Sequence, residues 1–178
     1  MAEYVKIPEE RLDFILAEDE KIKKIIEKST NTIIEIDKEI CEVAIIEKKD
    51  NDDPLATWRA RDVVKAIGRG FEPETALELL DPNKELKIIE SPEYAGKSQN
   101  RLIGIRGRII GREGKSKQII ENTTDTHMVV YGKTVCIIGS IDRVHLAARA
   151  VDMLANGSMH GSVYKMLEQE CRKINNQR

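Results

Sequence analysis

The sequence is poor in the residues that build ligand cages and cross-links. Seven of its 178 residues are aromatic (one Trp, two Phe, four Tyr), which leaves little material for an aromatic-lined small-molecule pocket. Its three cysteines, Cys41, Cys136 and Cys171, are odd in number and widely scattered, which argues against a disulfide framework and against a Cys-x-x-Cys zinc site. The three histidines, His127, His145 and His160, show no metal-ligand spacing, so no metal and no cofactor is expected. No apolar run approaches the ~20 residues of a membrane span, and the first dozen residues mix charges instead of forming a signal peptide. A reduced, soluble, cytoplasmic protein without a membrane partner is the expectation.

What is present is a core and a heavily charged surface. Apolar residues make up 40 % of the chain and charged ones 34 %, enough for one domain or two small ones. The formal net charge of −2 hides an asymmetry. Residues 1–83 carry 13 basic and 21 acidic side chains, a net −8, and residues 84–178 carry 16 and 10, a net +6. Solvated faces alone can produce such a split, so position matters more. Between Lys97 and Lys117 stand seven basic residues, Lys97, Arg101, Arg106, Arg108, Arg112, Lys115 and Lys117, against the single acid Glu113. That stripe is the footprint of a phosphate-backbone binder.

The chain repeats itself. Residues 15–36 align without gaps on residues 109–130, an offset of 94, with 8 of 22 positions identical: Ile15, Lys21, Lys23, Ile25, Ile26, Glu27, Thr30 and Thr32 with their counterparts. The likeness continues from Val43-Ala44-Ile45-Ile46 to Val135-Cys136-Ile137-Ile138, and from 60–67 to 148–155. One amphipathic helix resembles another by pattern alone. Continuation into two strands and a further helix indicates an internal duplication.

Periodicity supplies the order of elements. In the second copy, 86–89 alternates as a strand, 98–110 reads as a helix entered at Ser98, and 115–122 as a second helix. Two β-rich runs, 127–131 and 134–138, flank Gly132-Lys133, a hairpin signal. A third helix, 141–155, carries Val144, Ala148, Val151 and Leu154 on one stripe, and a C-terminal helix is expected over 158–173. The first copy reads alike: strand 4–7, helices 9–16 and 21–28, strands 32–37 and 43–47, helix 55–67. An extra helix is expected over 71–80 and a linker at Asp81-Pro82-Asn83. The fold class is therefore α+β, with β-α-α-β-β-α twice.

The loop Gly111-Arg112-Glu113-Gly114 carries the main chemical signal. Glycines at both ends let the backbone turn sharply and approach a ligand closely, and the helix starting at Lys115 offers unpaired amides and a positive dipole end. A phosphodiester there meets backbone N–H groups with Arg112, Lys115 and Lys117 nearby. Apolar surface from Ile109 and Ile110 on one side and the 127–131 strand on the other would seat bases, giving a groove for about four nucleotides of a single strand. The bland alternative is a helix–helix turn that uses glycine for its geometry. A P-loop is ruled out: Gly114-Lys115-Ser116 completes its end, but its first glycine would fall on Ile109, and a helix precedes it where a strand should. No nucleophile–base pair stands out, so no enzymatic activity is expected.

With these residues in view, Ile109-Ile110-Gly111-Arg112-Glu113-Gly114-Lys115-Ser116-Lys117-Gln118-Ile119 resembles the I-I-G-x-x-G-x-x-x-x-I signature of the KH family of RNA-binding modules. The resemblance implies two tandem type I KH domains, each a three-stranded sheet with helices packed on one face, plus a C-terminal helix. The domains would be 1–83 and 84–178. The first copy departs from the pattern: Ala17-Glu18-Asp19-Glu20 stands in place of the glycines and brings three carboxylates. It reads as a degenerate unit that has left the ordinary RNA groove and serves as a scaffold or a protein contact.

A narrower resemblance covers nearly the whole chain. The degenerate first unit, the tract Gly70-Phe71-Glu72-Pro73-Glu74-Thr75-Ala76-Leu77-Glu78-Leu79-Leu80, the second unit and the tail His160-Gly161-Ser162-Val163-Tyr164 together look like the partner-of-Nob-one family of small ribosomal subunit biogenesis. The short N-terminus suits a compact archaeal member. The resemblance implies rRNA processing: binding of single-stranded rRNA precursor near the 3′ end of the small-subunit rRNA, beside a PIN-domain endonuclease and other pre-ribosome proteins. By position, the RNA-binding residues would be Gly111, Arg112, Glu113 and Gly114 in the loop, and Lys115 and Lys117 at the helix start. Arg106, Arg108, Ile109 and Ile110 would line the groove, Met128, Val129 and Val130 would form its strand wall, and Arg101 would extend the basic track. Two rivals stand beside this reading: a protein-interaction adaptor with purely architectural KH units, and a KH protein of another RNA-processing pathway. Replacing Gly111 and Gly114 by Asp is expected to abolish RNA binding and leave the fold intact.

Overall fold

Local sequence punctuation sets the elements of the first copy. In the computed structural model, which describes residues 1–177, strand β1 (Ala2–Lys6) ends before Pro8, and Pro8 opens helix α1 (Glu9–Thr30). Helix α1 is two helices in one: Ala17, Glu18, Asp19 and Glu20 leave helical geometry and break it where two separate helices were expected. Asn31, left-handed at φ 49°, closes it, a conformation that asparagine tolerates better than most residues. Strands β2 (Thr32–Asp37) and β3 (Glu42–Glu47) pair antiparallel from Thr32 opposite Glu47 to Asp37 opposite Glu42, and β1 joins the far side of β3. The sheet order β1-β3-β2 leaves β2 at an edge. Helix α2 (Ala56–Gly68) buries Ala60, Val63, Val64 and Ile67, while Val43 and Ile45 of the central strand are fully buried. Its last residue, Gly68, lies where a Cβ would come within 2.3 Å of the Ile7 side chain, so only glycine allows that approach.

The stretch expected as one helix over 71–80 is instead α3 (Pro73–Ala76) followed by a 3₁₀ turn over Leu77–Leu80. Glu72 is extended, as a residue before proline prefers, so no helix can begin before Pro73.

The second copy follows the same plan. Strand β4 (Lys84–Glu90) leads through a short helix α4 (Pro92–Ala95), which periodicity does not reveal because it is one turn long, into α5 (Gln99–Ile110). Ser98 caps α5 by accepting from the Arg101 amide at 3.3 Å. After the loop come α6 (Lys115–Thr124), β5 (His127–Tyr131), β6 (Thr134–Ser140) and α7 (Ile141–Ala155). Strands β5 and β6 pair antiparallel from His127 opposite Ile138 to Tyr131 opposite Thr134 around the two-residue turn. The order β4-β6-β5 again leaves the strand after the second helix at an edge. Ile109, Ile120, Met128, Val135, Ile137, Val144, Val151 and Leu154 form the core, joined by Val163 and Leu167 of the C-terminal helix α8 (His160–Asn176). That helix starts at His160 and not at Ser158, because the preceding turn belongs to α7. Gly157 at φ 95° lets its own amide bond the Leu154 carbonyl and the Ser158 amide bond the Met153 carbonyl, a Schellman-type ending. The chain thus forms two compact units, Met1–Lys84 and Glu85–Arg178. Among the described residues, no helix is long and apolar enough to cross a membrane.

The duplication extends to individual hydrogen bonds. Thr30 Oγ1 donates to the Ile26 carbonyl at 2.7 Å and meets Thr32 Oγ1 at 2.8 Å. Ninety-four residues on, Thr124 does the same to Ile120 and Thr126 at the same distances. Glu27 Oε1 accepts from the Ile34 amide at 2.8 Å, and Glu121 Oε1 from the Met128 amide at 2.7 Å. In both units a helix glutamate therefore holds the sheet's edge strand through an amide that no neighbouring strand can pair. Removing either carboxylate strands a partly buried amide, a loss of about 1–3 kcal/mol. Glu27→Ala and Glu121→Ala are each expected to lower the urea midpoint of their own unit by corresponding amounts, followed by hydrogen exchange at Ile34 and Met128.

Candidate nucleic-acid interface

Helix α5 ends where Gly111 adopts φ 74° and ψ 176°, a region essentially reserved for glycine. Space demands glycine there as well: a Cβ would lie 2.6 Å from Ser116 Cβ and 2.7 Å from the Ser116 amide nitrogen. The loop thereby presses against the first turn of α6. Arg112–Gly114 form a 3₁₀ turn with Glu113 (φ 54°) and Gly114 (φ 75°) left-handed, closed by the Gly114 amide on the Gly111 carbonyl at 3.2 Å. At Gly114 nothing lies within 4 Å of a would-be Cβ, so this glycine answers to conformation alone. Helix α6 then starts with no side-chain cap and no acid in its first turn. The Lys115 amide bonds the Arg112 carbonyl, and the exposed Arg112 and Lys115 flank the positive end of the helix dipole.

The first copy closes the same loop without glycine. Ala17, in the place of Gly111, turns to φ −63°, and Glu18, Asp19 and Glu20 are all left-handed at φ 51°, 54° and 60°. Lysines pair with two of these acids, Lys21 with Glu18 at 3.2 Å and Lys23 with Glu20 at 3.1 Å, while Lys24 Nζ donates to the Asp19 backbone carbonyl at 2.6 Å. Beside this loop runs an open groove of about 800 Å³ between α1 and the edge strand β2. Its lining combines Leu16, Ile36 and the exposed Ile40 with the acids Glu20, Glu35, Asp37, Glu39 and Glu42 and the cations Lys23 and Lys38. At the 94-residue offset, Leu16, Glu20, Lys23 and Ile36 become Ile110, Gly114, Lys117 and Val130, all half-buried. They include two partly buried apolar residues, Ile110 at the end of α5 and Val130 on the edge strand β5. Of the first loop's three acids, only the counterpart of Asp19 is still acidic, as Glu113, and Gly114 stands in place of Glu20. Lys117 pairs with Glu121 at 3.1 Å, and that same glutamate anchors β5, so the basic rim and the strand wall are tied together.

Three of the expected groove residues do other work. Ile109 and Met128 are each 1 % exposed and belong to the core; they position the helix and the strand and present no side chain to the groove. Arg108 donates from Nε to the Leu154 carbonyl at 3.0 Å and from Nη2 to the Ser158 carbonyl, so its guanidinium closes the end of α7 and does not await a phosphate. The first unit has the same device: buried Arg11 donates to the carbonyls of Ile67 at 2.8 Å and Phe71 at 2.5 Å, also four residues apart at the end of α2. Val129, Val130 and Ile110 remain half-buried, Arg106 is half-buried with its Nε lacking a hydrogen-bond partner, and Glu113 is exposed on the turn. Arg101 is exposed nine residues before Ile110, about 14 Å along the helix axis at 1.5 Å per residue.

An opening of about 410 Å³, with no β5 residue in its lining, adjoins the loop. It unites Arg108, Gly111, Arg112 and Lys115 with five residues not expected at a site: Gly104, Gly107, Ser116, His160 and Tyr164. The signal for them was the repeated glycine at three-residue spacing in a basic helix and the His160–Tyr164 tail, which served only as a family marker. Among the described residues no group of three or more His, Cys, Asp or Glu is placed to hold a metal. Burial pushes the Cys171 thiol up, and it donates to the Thr123 carbonyl at 3.1 Å, so it stays protonated near neutrality.

Comparison with known proteins decides the family. A model of the second PNO1 KH domain, described as a eukaryotic-type (type I) KH domain, matches residues 85–172. A KH domain-containing protein of Methanocaldococcus jannaschii is 43 % identical over 172 residues, 97 % of this chain and 75 % of that protein. The chain belongs to the PNO1 family of KH-domain proteins, in its archaeal form. The pre-rRNA-processing protein PNO1 of Gibberella zeae is 32 % identical over 126 residues, 68 % of this chain, and the chain spans about half (48 %) of that fungal relative. Among solved structures, the a/eIF2α–aDim2p–rRNA complex of Pyrococcus horikoshii matches with a TM-score of 0.88 and 46 % identity, over 97 % of this chain and 95 % of that one. The type I KH order of elements in both units accords with this membership.

The loop geometry revises the expectation that Gly111→Asp leaves the fold intact. The two loop glycines of this PNO1-family chain are not equivalent. Gly111→Ala meets both a forbidden conformation and the Ser116 backbone and is expected to destabilise the second unit by about 3 kcal/mol or more, whereas Gly114→Ala, left-handed but unobstructed, costs about 1 kcal/mol. Thermal unfolding followed by circular dichroism separates the two.

Proposed function

We propose that this PNO1-family protein binds single-stranded rRNA as a processing and assembly factor of the small ribosomal subunit, with the strand's backbone resting on the Gly111–Gly114 loop of the second unit. The observation that carries the reading is the glycine-bracketed, cationic turn into α6. A glycine-bracketed turn, a helix start with no side-chain cap and the exposed cations Arg112 and Lys115 converge at one corner, where an anion is favoured by both dipole and charge. Bases then turn toward Ile110 and Val130, and the edge strand β5 presents backbone groups to their hydrogen-bonding edges, the mode by which such folds read unstacked nucleotides. The archaeal neighbour solved with rRNA, and the relatives named for pre-rRNA processing, support rRNA as the class of ligand. Work beside a PIN-domain endonuclease at the 3′ end of the small-subunit rRNA belongs to the same proposal.

The first unit's groove has the opposite chemistry. Its carboxylates repel phosphates, so a protein contact is the better use of that surface, and any nucleotide touched by this unit must be met elsewhere on it.

The test leaves both glycines in place. Arg112→Asp combined with Glu113→Asp replaces the loop's exposed cation by a second carboxylate beside the one already at 113, where the backbone should lie. Affinity for a single-stranded nonamer from the 3′ end of small-subunit rRNA, read by fluorescence anisotropy, is expected to fall more than about ten-fold, with an unchanged melting temperature. In the parent protein three phosphate contacts give a log–log salt slope of about −2, at about −0.7 per phosphate. Unchanged affinity in the variant would overturn the loop assignment.

A further inference from the structure

The opening beside the loop has three features that a groove along β5 does not explain. Gly104 and Gly107 lie three residues apart inside α5, where glycine weakens a helix relative to alanine. Neither has a left-handed φ, and a Cβ at either would meet nothing within 4 Å, so neither conformation nor packing within the protein calls for glycine. The pair leaves a strip of helix backbone bare. Ser116 is 2 % exposed, and its Oγ is buried without a hydrogen-bond partner while the residue lines this opening. A buried hydroxyl left unpaired is unfavourable, and a ligand that reaches it removes the penalty. Across from the strip stand His160 and Tyr164, with ring centroids 6.0 Å apart in an edge-to-face arrangement. His160 is fixed by donating from Nε2 to the Arg108 carbonyl at 2.9 Å. In a chain with seven aromatic residues, a half-buried tyrosine placed over bare helix at the rim of a cationic loop is a conspicuous use of one.

We propose that this opening is an additional nucleotide subsite. It takes the base of a nucleotide flanking the stretch held on the β5 side, with that base inserted between the Tyr164 ring and the Gly104–Gly107 strip and a polar edge reaching Ser116 Oγ. Arg112 and Lys115 hold the connecting phosphate as the strand passes over the loop. The subsite rests on the reading that the loop carries an RNA backbone. No carboxylate lines it, in contrast to the groove of the first unit. A base belonging to an already bound strand fits it better than a free nucleotide, because the loop supplies that base at high effective concentration while a free nucleotide bears the whole cost of association.

The experiment uses the full chain and the same nonamer, together with a series in which one base at a time is replaced by an abasic residue. In the parent protein one abasic position outside the run of about four groove-bound nucleotides is expected to weaken binding about ten-fold, as loss of one aromatic–base stack does. Tyr164→Ala reproduces that loss, and combined with the abasic position it adds nothing further, whereas Tyr164→Phe retains parental affinity. Gly104→Leu fills the opening from the helix side, raises helix propensity, and gives the same loss without loss of stability. Should Tyr164→Ala and Gly104→Leu bind the nonamer as the parent does while Arg112→Asp with Glu113→Asp still weakens it, the subsite is refuted and the loop reading stands. If none of these variants changes affinity, both fall. Equal occupancy by free AMP, with no dependence on the flanking base, would also refute the subsite as part of the RNA track.

Discussion

Gly111 against the first turn of α6 is the contact on which the second unit's chemistry depends. Because a Cβ there would run into the Ser116 backbone, only glycine lets the end of α5 come this close to the first turn of α6. That closeness brings the start of α6, Arg112 and Lys115 to one corner, beside an opening lined by α5 and α8. The opening has bare helix backbone and the rings of α8, and the half-buried Ile110 and Val130 lie outside its lining. Charge alone would not give this arrangement, since a basic helix with a wider turn would scatter its cations.

The first unit shows what the same backbone becomes when that constraint is relaxed. Its hydrogen bonds repeat those of the second unit to within 0.1 Å at the threonine and glutamate positions, so the framework has been kept. Its loop turns without glycine by taking three successive left-handed residues, each unfavourable by about 1–2 kcal/mol, and their carboxylates occupy the surface where a phosphate would sit. Lys21 and Lys23 pair with Glu18 and Glu20, which stabilises the turn and uses up local cations. One framework therefore carries two electrostatic surfaces, and the split of −8 and +6 along the chain is the trace of that divergence.

Much of this was visible in the residue order. The 94-residue repeat, the strands at 32–37 and 127–131, the helix 141–155 and the Ser98 cap follow from periodicity and punctuation, which act over a few residues. The loop signature and its first-copy counterpart were legible for the same reason. What was not legible depends on partners far away in sequence. Arg108 looked like one more cation in a stripe, yet the carbonyl ends of α7, 46 and 50 residues on, claim it. Ile109 and Met128 matched a groove wall by position, but the half of each element that faces the sheet is core. Helix α4 and the split of 71–80 fell below the length at which a helical period can be recognised.

By itself, the sequence determined the duplicated β-α-α-β-β-α plan, the loss of glycine in the first loop and the placement of positive charge in the second, because these reside in local preference and in composition. Only the tertiary structure decided which of those charges remain available and what stands opposite them. It spent Arg108 on a helix end, placed Glu121 between Lys117 and the edge strand, and brought His160 and Tyr164 to the bare face of α5. The reason is that a side chain's duty is set by whichever unpaired polar group or open surface lies within its reach, and reach is a property of packed elements, not of neighbours along the chain.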